Sequence, residues 1–417
     1  MANFKRIAAM AAAAAILSSM AACGSNTAYA LTIDGEQIKA GIYIYYSYLA
    51  YNDAVQTIAS QDSEIDTSDK EVVKKQKIDG KDAYDWIQDK ALSYCKEQAA
   101  INKEFKAANL TLPEETQTEL DTTMETFWEQ NKENFMKNGI SESSIYDIME
   151  YTYNANEVFY YYYGIGGADG VTEKEVHKYY VENTARTQYV AFNAVDGVGE
   201  ALEGSAKTKF EKMVDGYLAA VKKLDESDEI EEKMNSIQEE YNAYVTSVSE
   251  EAAATATVTN EAGETVTVTT TTTAKTTTSE GETTTTTTTI PYANEALIPK
   301  VTTDEDTKEE DLTYTPNKTV YDYIFDKAKI NEPDVVYDEE SNTYYLVVRY
   351  DMEDRMTADD VWTEQLQRGV VSAMYSKDFQ DRLDKWVEAL DVKTNDAALK
   401  RYNPFELKFE NEQNTGA

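Results

Sequence analysis

The chain has 417 residues, with 77 acidic against 39 basic side chains and a net charge of −38. Nucleic-acid binding needs clustered Lys and Arg, so this balance excludes it, and it argues against adhesion to anionic lipid headgroups. It favours solubility and poor self-association, while the length allows two or three domains.

Residues 1–22 read as a targeting signal rather than as fold. Lys5 and Arg6 precede the apolar run Ile7 to Leu17, which is too short to span a bilayer. "SSMAACGS" then resembles a bacterial lipoprotein signal, in which cleavage makes Cys23 the first residue and its thiol carries a diacylglycerol. The other reading is an ordinary secretory signal cut near Ala22, or after Ala28 or Ala30. Acyl chains anchor durably because each buried CH₂ contributes about 0.8 kcal/mol. The expectation is an extracytoplasmic body held to a bacterial membrane at one end, with 23–30 as a short tether. Loss of Lys5 and Arg6 takes the net charge from −38 to about −40. With Cys23 committed to lipid, Cys95 is the one thiol left, and no internal disulfide forms. Cys95 falls in step with Ile87, Ala91 and Ala99 and reads as a buried core residue.

Residues 31–170 read as mostly helical. "LTIDGEQI" is an extended start with an Asp34-Gly35 turn. Helices follow over 40–60 and 81–108, separated by a polar gap at 61–80. "LTLPEE" stops one helix and starts the next, with Thr111 as cap and Pro113 in the first turn. That third helix runs to Lys137, where Gly139 suits a C-terminal stop. Ser141 or Ser143 opens a fourth, carrying Ile145, Ile148, Met149, Val158 and Phe159 at helical spacing.

Residues 171–352 are mixed. "TEKEVHKYYVEN" is a short helix with a capping box from Thr172 and Glu175, and "TQYVAFNA" has strand composition. Two helical stripes follow: Phe210, Met213, Tyr217, Val221 and Leu224, then Ile230, Met234, Ile237, Tyr241 and Val245. An insertion spans 250–312, and about two-thirds of residues 265–289 are threonine. β-Branched residues favour extended structure, so hairpins around Gly263 and Gly281 compete with a low-complexity, glycosylated linker. "KTVYDYIFDKA" reads as a helix, and "PDVVYD" and "NTYYLVVRYD" as strands joined by an "EESN" turn. One long helix occupies 357–390 within a C-terminal segment 353–409, capped by Thr357, with Phe379, Leu383, Trp386 and Leu390 as its buried stripe. Residues 410–417 read as a frayed tail.

Chemistry-bearing patterns are sparse. His177 is the single histidine; any Ser-His-Asp triad or His-based metal site would need it, and its place on a charged helix assigns it no partner. The acidic run 302–314 lacks the glycine of a Ca²⁺ loop. No metal site and no cofactor are expected, and no glycine pattern for a nucleotide is present. Gly164, Gly166 and Gly167 follow aromatic residues at a helix end and read as a hinge. The 31 tyrosines stand out, with Tyr43, Tyr45, Tyr46, Tyr48 and Tyr51 on the first helix and Tyr160–Tyr163 ending the fourth. Such rings either line a groove for unstructured polypeptide or pack helix on helix.

The order of parts resembles the PrsA/SurA family of extracytoplasmic foldases, whose middle domain is a parvulin-type (PpiC) peptidyl-prolyl isomerase. "LTIDGEQIKAGIY", "WIQDKALSYCKEQAAINKEFKAANLTLPEE" and "NFMKNGISESSIYDIMEYTYNANEVF" resemble its N-terminal helical domain. "VTEKEVHKYYVEN" resembles the entry helix of the parvulin domain, "RTQYVAF" its first strand, and "TVYDYIF" with "NTYYLVVRYD" its last helix and strand. The resemblance implies an α+β chain, with a helical SurA-N-like chaperone domain completed by a C-terminal helix and a parvulin-like domain carrying the Thr-rich insertion. It places Tyr189 and Tyr345 where parvulins carry histidines, leaves His177 outside the cleft, and puts the threonine tract where a glycine-rich stretch belongs. Peptide-binding candidates are Tyr189, Phe192, Phe325 and Tyr345. The function implied is a membrane-anchored chaperone that binds unfolded or secreted polypeptides, its isomerase activity lost. The alternatives are an active isomerase of the same family and a surface scaffold or adhesin-like lipoprotein.

Overall fold

The computed structural model describes residues 27–255, 257–259, 265–267, 294–302, 312–356 and 361–409. The stretch read as a lipoprotein signal with Cys23, the turns expected at Gly263 and Gly281, most of the acidic run, Thr357 and the tail 410–417 lie outside the described residues. The chain is α+β, mostly helical with small antiparallel sheets. It divides into two compact units, one of residues up to Glu173 together with those from Val371 onward, the other Lys174–Val370.

The first unit is built from both ends of the chain. Strands β1 (Tyr29–Ile33) and β2 (Glu36–Lys39) form a hairpin. Its two turn residues, Asp34 and Gly35, sit at φ of 49° and 89°, as a primed two-residue turn requires. On its other edge β1 pairs with β11 (Val392–Thr394), Leu31 opposite Thr394. Asp34 holds this closure together. Its N–H donates to the Asp391 carbonyl at 2.9 Å, its Oδ1 accepts from the Asp391 amide at 2.8 Å, and its Oδ2 accepts from Lys103 Nζ at 2.6 Å. The lysine, then that amide, hold the carboxyl below its ordinary range.

Helices α1 (Ala40–Gln61), α3 (Ala83–Ala107), α4 (Glu114–Lys137) and α5 (Glu142–Tyr163) make the body of this unit. Tyr43, Ile44, Ile58, Ile87, Ala91, Cys95 and Ile145 are fully enclosed in their shared core, and burial pushes the Cys95 thiol up. Helix α4 opens two residues later than a Thr111 cap would place it, with Pro113 itself at the N-cap and no side-chain cap. It ends in a Schellman turn: Gly139 takes φ of 80°, its N–H meets the Met136 carbonyl at 3.1 Å, and Ile140 N–H meets that of Phe135 at 2.9 Å. Ser141 caps α5 by accepting from the Ser144 amide. The polar gap 61–80 contains a short helix α2 (Lys70–Val73) and opens a small hairpin around Asp79-Gly80, whose strands are β3 (Lys77–Ile78) and, just past the gap, β4 (Lys81–Asp82).

Helix α11 (Glu364–Glu388) is shorter than the expected 357–390, and Thr363 caps it by accepting from the Leu366 amide at 3.2 Å. From Val371 onward it belongs to the first unit. There Leu383 joins Ala100, Ile101 and Val158 in a second core, and Phe379 meets Phe159 edge-on at 5.3 Å. The run Tyr160–Tyr163 serves that packing: Tyr163 stacks on Tyr375 at 5.1 Å and the Arg382 guanidinium lies over Tyr162 at 4.2 Å. The glycines after it close a loop rather than leave it open, since Gly166 N–H meets the Val171 carbonyl and Ala168 N–H that of Tyr161, both at 2.8 Å. Residues 353–370 group with the second unit, not with the C-terminal segment. Arg355 is bound there to Glu295 at 2.7 Å.

Where α1 crosses α5, a Cβ at Gly41 would lie 2.5 Å from Ser144 Oγ and 3.0 Å from its Cβ, and Ser144 is buried. Overpacking of this kind costs about 1–3 kcal/mol. Gly41→Val is therefore expected to lower the free energy of unfolding in urea by that amount, and Ser144→Gly in the same chain to recover part of it; an unchanged unfolding free energy in Gly41→Val contradicts the close crossing.

Candidate functional site

The second unit is organised on one four-stranded antiparallel sheet in the order β8-β5-β10-β9. Helix α6 (Glu173–Asn183) leads directly into β5 (Thr184–Asn193). Two helices follow, α7 (Gly204–Val221) and α8 (Ser227–Thr255). Strands β6 (Thr257–Thr259) and β7 (Thr265–Thr267) pair with each other, Val258 opposite Val266, on either side of Gly263. The chain re-enters the main sheet as β8 (Ala296–Pro299), passes through α9 (Lys318–Asp326) and finishes as β9 (Asp334–Asp338) and β10 (Thr343–Tyr350). β5 and β10 are the two central strands, paired over eight positions from Thr343 opposite Asn193 to Tyr350 opposite Arg186.

Alternation along these strands sorts the candidates by face. Tyr189 lies opposite Val347, and Tyr345 opposite Ala191, so both phenols point to one side. Their rings meet edge-on with centroids 6.1 Å apart. Helix α9 covers the same side, burying Val320 and Ile324 against Ala185, Ile298 and Val347. Phe325 and Tyr321 of that helix pack against the same cluster, their centroids 4.7 Å apart, with Arg349 6.0 Å above the Phe325 ring. Tyr189 and Phe325 are half-buried and Tyr345 is buried. The arrangement is a semi-exposed aromatic surface backed by a rigid sheet.

Phe192 does not belong to this surface. It alternates onto the opposite face of β5 and is fully enclosed between Tyr217, stacked at 5.5 Å, and Tyr241 at 4.8 Å. It is a core residue under α7 and α8, so three of the four peptide-binding candidates remain together. Burial, and secondarily the neighbouring Tyr345, push the Tyr189 phenol above its ordinary range. It stays protonated at neutral pH and offers a hydrogen bond and an apolar ring, not a base. His177 lies on α6, its Nε2 3.6 Å from Glu353 and its ring edge-on to Trp362 at 5.2 Å. Among the described residues no group of three or more His, Cys, Asp or Glu could hold a metal.

The face that buries Phe192 also carries a charge cluster that sequence reasoning missed. Arg186 is enclosed and binds Glu231 of α8, and through Nε it binds Glu295 at 2.5 Å; Glu295 also accepts from Arg355 of α10 (Met352–Met356) at 2.7 Å. The Arg186 guanidinium lies 5.0 Å over the Tyr350 ring, and the Tyr350 hydroxyl donates to Gln188 at 2.8 Å. The one trace in sequence is that Arg186 and Gln188 interrupt the inward-facing series continued by Val190 and Phe192. Nothing in the spacing names partners 45 and 109 residues away. Burial raises the Glu231 carboxyl above its ordinary range, against the pull of Arg186.

Comparison with models of protein families, with curated proteins and with solved structures found no match for this chain. No described helix is long and apolar enough to cross a membrane.

Removing one partner of a buried ion pair costs about 3–5 kcal/mol because the other charge is left uncompensated. Arg186→Met is expected to lose stability on that scale at pH 7. Without the guanidinium, the folded-state Glu231 carboxyl rises further above its unfolded value. The native state then holds more protons than the unfolded state between those two values, so stability falls as pH rises. Denaturant unfolding of Arg186→Met at pH 5 and pH 7 should therefore show a smaller deficit against wild type at pH 5; an equal deficit at both contradicts the carboxylate account.

Proposed function

We propose that this chain is a membrane-anchored, extracytoplasmic, chaperone-like lipoprotein that binds unfolded or secreted polypeptides, with an isomerase-like domain that no longer isomerises efficiently. Cys23 is its lipid-attachment residue in this reading. One observation carries the reading: the tracts that resemble the first and last parvulin strands are hydrogen-bonded neighbours, with Tyr189 and Tyr345 side by side on one face at 6.1 Å. The layout of the first unit, which joins Leu383 and Trp386 near the C-terminus to Ala100 and Val158, is consistent with a SurA-N-like domain completed by a returning helix.

Isomerising an X–Pro bond means lowering a barrier of about 18–20 kcal/mol by twisting the amide in a dry, shaped pocket. The half-buried rings of Tyr189 and Phe325, backed by the buried Tyr345, offer a proline or an aromatic side chain apolar contact. This surface lacks the imidazole pair that the resemblance leads one to expect, and the threonine tract replaces the glycine-rich stretch. Binding without fast turnover follows from that substitution.

The purified chain is expected to suppress aggregation of several chemically denatured proteins at near-stoichiometric ratio. A proline-containing model peptide should relax no faster with the protein than without it. Failure to protect any client overturns the chaperone reading. Accelerated relaxation that Tyr189→Phe and Tyr345→Phe abolish overturns the loss of catalysis.

A further inference from the structure

The tyrosines of α1 fall into two sets, with Tyr45 packed against Phe135 on the core side. Tyr43 and Tyr46 are buried in the helical core, where burial pushes the Tyr43 phenol up to about 12. Tyr48 and Tyr51 instead line a cleft of about 200 Å³, together with Asn52, Val55, Thr67 and Lys70. One wall of that cleft is the chain's own C-terminal segment. After a 3₁₀ turn at Pro404–Glu406, the backbone becomes extended at Leu407, with φ −65° and ψ 139°.

Phe405 belongs to that turn, and the extended stretch begins at Leu407. The alternate residues Phe405, Leu407 and Phe409 all pack on the core of the unit. Phe405 meets Tyr51 edge-on at 5.6 Å, and Phe409 stacks on Tyr48 at 4.0 Å. Two hydrogen bonds read the backbone rather than the side chains: Lys70 Nζ donates to the Leu407 carbonyl at 2.6 Å, and Asn138 Oδ1 accepts from the Lys408 N–H at 2.7 Å. Pockets for every second side chain, with a donor and an acceptor for the main chain between them, form a recognition mode that tolerates many sequences. Intervening Glu406 and Lys408 are exposed.

We infer that the groove of Tyr48, Tyr51 and Lys70 is a binding site for extended polypeptide with apolar side chains at alternate positions, and that residues 407–409, which follow the 3₁₀ turn, occupy it as an internal stand-in which a client displaces. The inference rests on the polypeptide-binding reading above and names its site. A groove closed by its own strap binds more weakly by the fraction of time it is open.

The test uses the full chain and reduced, carbamidomethylated lysozyme, a basic and permanently unfolded polypeptide. Leu407→Ala/Phe409→Ala loosens the strap and is expected to lower the dissociation constant by about tenfold, as the closed fraction shrinks. Val55→Asp places a charge in the cleft and should weaken binding by a similar factor. Wild-type protein supplies a readout independent of variant folding: saturating client should speed hydrogen exchange at the Lys408 amide, freed from Asn138. If client binds wild type while the Lys408 amide keeps its protection and Val55→Asp binds as well as wild type, the groove assignment is overturned and the chaperone reading stands. If no form of the chain binds the client, both fall.

Discussion

The pairing of β5 with β10 is the constraint on which the second unit depends. It joins Thr187 to Arg349 and Asn193 to Thr343, so about 150 residues of chain must close as a loop before the first of those hydrogen bonds forms. The entropic cost of closure grows only slowly with loop length, which is why an insertion rich in threonine is tolerated between the two strands. Once they are side by side, everything else has a place. β8 and β9 add at the edges, α7 and α8 cover one face, and α9 covers the other. The register also decides the chemistry, because a slip of one residue would send Tyr189 to the opposite face from Tyr345.

The two faces do different work. One is sealed, with Phe192, Val190 and Leu346 packed under α7 and α8 and with Arg186 clamped between two glutamates. A buried ion cluster is weak evidence of net stability, but a lone partner is costly, so the cluster specifies which segments meet: β5, α8, the approach to β8, and α10. The other face keeps half-exposed aromatic rings over a rigid floor. In the first unit the Asp34 closure plays the matching part, tying the opening hairpin to Asp391 and to Lys103. That brings the C-terminal segment to the tyrosine groove of α1.

Much of this was legible in the sequence where local signals agreed. The helices of the first unit follow from apolar spacing, Ser141 and Gly139 mark their ends, and Asp34-Gly35 announces its hairpin. Asp79-Gly80 is the same dipeptide signal in the stretch read as a polar gap, and it makes the small hairpin there. The strands of β5, β9 and β10 follow from β-branched and aromatic composition. β8 did not stand out, because four residues ending in proline carry little signal and an edge strand tolerates Pro299. Thr357 and Thr363 both offer caps in the sequence, so the start of α11 is ambiguous there, and the helix from Glu364 is capped by Thr363. Phe192 stands three positions from Tyr189, and on a strand that means opposite faces. The partners of Arg186 and the strap on Tyr48 rest on long-range contacts that no local pattern encodes.

The most direct measurement of the account is a set of cross-strand nuclear Overhauser contacts in the intact chain. The expected result is contact between Tyr189 and Val347 and between Tyr345 and Ala191, with the two tyrosine rings also in contact. Contacts displaced by one residue, or none between the two strands, would separate the phenols and contradict the shared aromatic face on which the functional proposal stands.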